Sequence, residues 1–267
     1  TRVAESHIRV GTFQYFSFKH EYESIKTLLD YTISRHYPTL NQLKNYKERS
    51  IQLLKSLVEK QSSLIAKWSA LGFIHGVMNT DNFSMAGITI DYGPCAFMDE
   101  FKFDKVFSYI DQNGRYSYFN QTRIAKWNIL RLSESLMPLI SKNQEDAIKE
   151  IEKEIVPLFD QFDEKRMTKL AEKIGINDYS KDDESLVMAF LTYLEKESLD
   201  FTLAFRTLPH LFNGDKSFYK ETPELENFIK RWKNRVKAVE NLNKVNPLYI
   251  PRNHQIQKVI EEAYEGK

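Results

Sequence analysis

His75-Gly76-Val77-Met78-Asn79-Thr80-Asp81-Asn82-Phe83-Ser84-Met85-Ala86-Gly87-Ile88-Thr89-Ile90-Asp91-Tyr92-Gly93 is the stretch on which the reading of this chain turns. It is rich in glycine, short of helical periodicity, and carries four acidic or amide side chains, Asn79, Asp81, Asn82 and Asp91. Its spacing predicts loop, strand, tight turn, strand and loop. Residues 83–85 are expected to pair with 88–90 across Ala86-Gly87, because glycine tolerates the positive φ of such turns. A hairpin of that kind would bring Asn82 and Asp91 side by side, although they lie nine positions apart. An amide oxygen and a carboxylate suit a hard divalent cation. Mg²⁺ takes oxygen ligands, keeps several waters, and is commonly held by one or two protein groups plus substrate phosphates.

Around this segment the sequence reads as helical. Only 9 Gly and 8 Pro interrupt 267 residues, so long helices are expected. Apolar residues at helical spacing predict helices over 21–35, 43–71 with Gly72 as C-cap, 121–140, 144–174 despite Pro157, 184–205 and 224–242. A short helix closes the chain. No internal repeat or low-complexity linker divides it, and the whole of 1–267 reads as one domain.

Composition bounds the function. With 42% hydrophobic residues, 18 Phe and 14 Tyr, the chain can bury a sizeable core. Its 38 Lys and Arg against 37 Asp and Glu leave a net charge of +1. That balance gives no bulk attraction to nucleic acid or to an acidic membrane. No apolar run reaches the length of a bilayer span. The single cysteine, Cys95, excludes an intrachain disulfide and any zinc site built on several thiolates. It is read as a small buried hydrophobe.

Asp91-Tyr92-Gly93 has the form of the protein-kinase Asp-Phe-Gly motif, and Asn82 falls where a kinase catalytic loop carries its metal-binding Asn. The catalytic Asp of a kinase lies five residues before that Asn, and here the position is Val77. The nearest alternative carboxylate is Asp81. Phosphoryl transfer by the kinase arrangement is therefore disfavoured, while metal and nucleotide binding are retained. His75 is read as a structural hydrogen-bonding residue and Asn79 as a loop stabiliser.

The run from His75 to Gly93 closely resembles the selenoprotein O (SelO) family, kinase-like proteins that act as protein adenylyltransferases. Arg2-Val3-Ala4-Glu5-Ser6-His7-Ile8-Arg9-Val10-Gly11-Thr12-Phe13 is similar to the family's Arg-rich segment. Gly114-Arg115-Tyr116-Ser117-Tyr118, Asn120-Gln121, Trp127-Asn128 and Asn246-Pro247 with Arg252-Asn253 extend the likeness along the chain. The resemblance implies a mostly α kinase-like C-terminal lobe with one or two short β-hairpins at the active site. It implies Asp81 as proton acceptor for the target hydroxyl, and Asn82 and Asp91 as metal ligands. Asp91 would also lie near the nucleotide, with Arg2 and Arg9 on its phosphates. ATP with Mg²⁺, or Mn²⁺ in its place, is the implied cofactor set, and AMP the transferred group. Proteins bearing Ser, Thr or Tyr hydroxyls are the implied partners.

The family's nucleotide-binding N-lobe has no counterpart in 1–267, and neither does its extreme C-terminus. The chain is thus expected to be a fragment, inactive in isolation, that partners with the N-lobe. The implied location is the cytoplasm in bacteria or the mitochondrion in eukaryotes. Phosphoryl transfer with Asp81 as base, and a non-catalytic nucleotide-binding pseudokinase module, are the competing readings.

Overall fold

The computed structural model describes residues 3–237 and 239–266. Those residues are mainly helical, at 63%, with one small two-stranded antiparallel sheet. In chain order the helices are α1 (Val10–Phe18), α2 (Tyr22–His36), α3 (Tyr46–Leu71), α4 (Gln121–Ile140), α5 (Gln144–Glu154) and α6 (Asp160–Lys173). They continue as α7 (Glu184–Lys196), α8 (Phe201–Arg206), α9 (Leu208–Phe212), α10 (Pro223–Arg235), α11 (Leu242–Val245) and α12 (Asn253–Tyr264). Strands β1 (Phe73–Ile74) and β2 (Ala96–Phe97) pair with Phe73 opposite Phe97 and Ile74 opposite Ala96. No described helix is long and apolar enough to cross a membrane.

Local chemistry explains where the helices stop. α3 ends at Gly72, whose φ of +68° only glycine adopts freely. The helix expected over 144–174 is instead two. α5 stops at Glu154, Pro157 sits in a 3-10 turn (Val156–Phe159), and α6 restarts at Asp160. Proline lacks the N–H and crowds the preceding turn, and here the helix breaks ahead of it. The stretch 184–205 also divides: Ser198 turns left-handed at φ +52°, and Asp200 caps α8 by accepting from Leu203 N at 2.8 Å. Helix 224–242 ends early, at Arg235.

The chain packs as two compact units. The first comprises Thr1–Ile65, Val77–Gly93 and Gln121–Lys165. Here α1 packs on α2 and α4, and α4 packs on α2 and α5. Val10 and Phe13 of α1, Leu29 and Ile33 of α2, and Ile129 and Leu132 of α4 are fully buried. Each such side chain contributes about 1.5–3 kcal/mol through burial. Asn143 caps α5, accepting from Glu145 N at 2.8 Å.

The second unit comprises Ala66–Gly76, Pro94–Asn120 and Arg166–Lys267. Its core is aromatic. Phe190 stacks on Phe228 at 4.6 Å, Phe228 on Trp232 at 5.5 Å and Phe101 on Phe201 at 5.7 Å between ring centroids. Trp232 satisfies its indole N–H at Ile174 O, 2.6 Å away. A basic side chain lies inside this core: Lys173 is 2% exposed, more deeply buried than Arg166. Its Nζ donates to Asn246 Oδ1 at 2.8 Å and sits 4.4 Å from the centre of the Phe205 ring. Asn246 in turn donates through Nδ2 to Lys173 O at 2.9 Å and Phe205 O at 3.2 Å. Arg252 joins Asp99, which follows β2, to Asp200 at the start of α8, with 2.6 Å to Asp200 Oδ2.

Candidate active site

The segment before α1 and the glycine-marked loop build the candidate site, and both belong to the first unit. The hairpin expected between 83–85 and 88–90 is not the pairing found. The reversal exists, with Gly87 N donating to Ser84 O at 3.3 Å and Gly87 at φ +73°. Residues 83–85, however, pair with 8–10. Val10 N donates to Phe83 O at 3.0 Å and Met85 N to Ile8 O at 2.9 Å, an antiparallel bridge centred on Arg9 and Ser84. The carbonyl edge of 84–85 is then taken up by side chains from two helices' neighbourhoods. Gln61 Nε2 of α3 donates to Ser84 O at 2.8 Å, and Tyr37, just past α2, donates its hydroxyl to Met85 O at 2.6 Å. With its backbone polar groups so engaged, this buried stretch is fixed.

The metal-type ligands are set by the same pattern of hydrogen bonds. Thr80–Asn82 forms a 3-10 turn that Asn79 caps, its Oδ1 accepting from Asn82 N at 3.1 Å. The reading of Asn79 as a loop stabiliser holds. Asn82 donates through Nδ2 to Val77 O at 3.0 Å. That bond fixes the amide so that Oδ1 is the end left to accept or coordinate. On the helix side, buried Asn128 of α4 donates to Met78 O at 2.9 Å and anchors the turn's approach.

Asp91 is half-buried and held at φ +59°, the left-handed region. Gly93 N closes the turn on Asp91 O at 2.8 Å. Residues other than glycine adopt such a φ at a cost of about 1 kcal/mol, and it recurs at functional sites. Asp91 and Arg9 line one cleft of about 480 Å³, together with His7, Ile88, Ile90 and Gly93. The geometry thus brings an arginine and a carboxylate to one cavity. Asp81 and Asn82 are not among the residues lining that cavity. The Asp81 residue is exposed and lies against Gly11, two positions after Arg9. Arg2, the other arginine expected at phosphate, lies outside the described residues.

The side-chain types are those that suit a hard cation and phosphate: an oriented amide oxygen at Asn82, and a carboxylate at Asp91 that shares its cleft with the Arg9 guanidinium but not with Asn82. Among the described residues, no three His, Cys, Asp or Glu side chains converge as a self-sufficient metal cage. His75 is fully buried and packs on the Trp68 ring at 5.5 Å and the Phe73 ring at 6.5 Å, as a structural residue does. Cys95 is only half-buried, and burial pushes its thiol pKa up.

Of the residues that hold the loop, sequence reasoning missed Tyr37 and Gln61 and met Asn128 only as part of the family likeness, without a role. Gln61 and Asn128 carry one legible sign, a polar residue on the apolar stripe of an amphipathic helix. The identity of the partner carbonyl is not legible locally.

The whole chain, residues 1–267, matches the family model described as protein adenylyltransferase SelO. Protein nucleotidyltransferase YdiU of Agrobacterium fabrum (strain C58) is 42% identical over 277 residues, covering 99% of this chain and 56% of that protein. YdiU of Bacillus cereus (strain AH820) is 42% identical over 271 residues, covering 98% and 55%, and YdiU of Bacillus anthracis (strain CDC 684) gives the same values. The chain spans about half the length of the curated relatives it matches. Matched from end to end by the family model and to relatives at this identity, the chain belongs to the protein adenylyltransferase SelO family.

Proposed function

We propose that this chain serves Mg²⁺-dependent transfer of AMP from ATP to Ser, Thr or Tyr hydroxyls of proteins, as the kinase-like C-lobe of the catalytic unit. The observation that carries the reading is the cleft shared by Arg9 and Asp91, in the unit that also holds the fixed amide of Asn82 and the exposed Asp81. In this reading Asn82 and Asp91 would hold Mg²⁺, whose charge would offset that of the phosphates. Arg9 anchors the β- and γ-phosphates as the leaving group, and Arg2 assists it. Asp81 accepts the proton of the target hydroxyl as its oxygen forms a bond to the α-phosphorus. The bond from that phosphorus to the β-phosphate oxygen breaks, and pyrophosphate leaves. Val77 at the position of a kinase's catalytic Asp supports a departure from kinase chemistry.

The test is incubation of the protein, supplied with the family's N-lobe, and candidate protein substrates with ATP labelled at the α- or γ-phosphate. Protein-bound label from the α position, absent in Asp91→Ala, is the expected result. Label from the γ position alone would make it a phosphotransferase with Asp81 as base. Nucleotide binding with no label from either would make it a non-catalytic nucleotide-binding module.

A further inference from the structure

Gly11 is the second residue of α1, and Asp81 approaches it from the Thr80–Asn82 turn. A Cβ at Gly11 would lie 2.1 Å from Asp81 Oδ1, 3.1 Å from its Cγ and 3.4 Å from its Cα. Real Cβ contacts are not found below 3.0 Å. The carboxylate therefore occupies the volume that any other side chain at position 11 would claim. Nothing in the helix itself calls for glycine there. Residue 11 is ordinary right-handed helix, where glycine costs about 0.5–1 kcal/mol relative to alanine. The α1 N-cap, Arg9, supplies no side-chain cap, and the positive end of a helix favours a carboxylate beside it.

We propose that Gly11 is a positioning residue for the Asp81 carboxylate, its missing side chain setting where the proton acceptor stands at the head of α1. The inference rests on the reading of Asp81 as that acceptor. Its physical content is that a methyl group at position 11 displaces the carboxylate without unfolding anything. The atom in conflict is the end of a rotatable side chain on an exposed turn, so the chain accommodates Gly11→Ala by turning the Asp81 side chain aside. From 2.1 Å to an allowed contact the oxygen must retreat by about 1 Å. Misplacement of a reacting group on that scale costs on the order of 10²-fold in rate.

The experiment compares wild type, Gly11→Ala, Asp81→Asn and the double variant, measuring AMP transfer from α-labelled ATP together with melting temperature. For Gly11→Ala, kcat is expected to fall on the order of 10²-fold. KM for ATP should stay within about twofold, and the melting temperature should hold or rise, as alanine in a helix does. The double variant should be no slower than Asp81→Asn alone, because both act through one carboxylate. An unchanged kcat, an additive double variant, or loss of activity accompanied by a fall in melting temperature would each overturn the assignment. All four are assayed with the family's N-lobe supplied, and a wild type that then transfers no AMP would instead overturn the proposed function itself.

Discussion

Lys173→Met is the perturbation whose size follows most directly from the structure. Burial lowers the Lys173 amine from its ordinary pKa of 10.5 to about 7. The unfolded chain keeps that proton up to pH 10.5, and the folded chain releases it near 7. Between those values the unfolded state binds more protons, so stability rises with pH, by ~1.4 kcal/mol per pH unit. The whole window is worth about 5 kcal/mol, with the full penalty below pH 7 and none above 10.5. The Phe205 ring, 4.4 Å away, favours the ammonium and trims that figure. Methionine removes the titrating group at similar length. Urea unfolding at intervals from pH 7.5 to 9.5 should therefore show wild type gaining roughly 2–3 kcal/mol on the variant across that range. Other lysines and tyrosines titrate in both proteins and cancel in the difference. Parallel stability curves would refute the reasoning, whatever the absolute stability of the variant after Asn246 Oδ1 loses its donor.

Gly72→Ala should destabilise by on the order of 3 kcal/mol, since φ is +68° and the new Cβ would lie 2.8 Å from the Phe201 ring; an unchanged melting temperature would contradict this. Arg252→Met leaves Asp99 and Asp200 without their shared cation and should lower stability by on the order of 1–2 kcal/mol, the pair being partly exposed. The urea midpoint checks it. Asp91→Ala and Arg9→Ala should each weaken ATP binding by tenfold or more in calorimetry, while binding of free adenosine changes little after Arg9→Ala. Equal losses for adenosine and ATP in Arg9→Ala would remove the guanidinium from the phosphates.

Helices with a strong apolar stripe and a physical stop were legible. The 43–71 pattern and Gly72 located α3 to within three residues at its start and at its true end. The 121–140 pattern matches α4 at both ends. Breaks set by single residues were harder. Pro157 divides 144–174, and Asp200 capping Leu203 N divides 184–205; both signals were present, but the apolar spacing on either side continues across them. α1 was not expected as a helix, because Val-Gly-Thr-Phe-Gln-Tyr-Phe-Ser-Phe shows no amphipathic stripe.

At the site, the turn at Ala86-Gly87 was legible and the strand's partner was not. Residues 83–85 bond to 8–10, some 75 positions upstream. A local alternation cannot distinguish a neighbour from a distant segment that offers the same hydrogen bonds. Arg9 came from the family likeness and Asp91 from the spacing and Asp-Tyr-Gly form of its segment, and their sharing of a cleft is a fact of tertiary packing.

The Asn246 side chain holds three hydrogen bonds inside the second unit, and the residue after it is Pro247. Spontaneous deamidation proceeds when the following backbone nitrogen attacks the side-chain carbonyl to form a cyclic imide, and proline has no N–H with which to do so. An aspartate here would keep the acceptor for Lys173 but lose both donors to backbone carbonyls. The sequence thus shields its most deeply committed amide from chemical ageing, while exposed Asn113 and Asn213, each followed by a glycine, are where such wear will first collect.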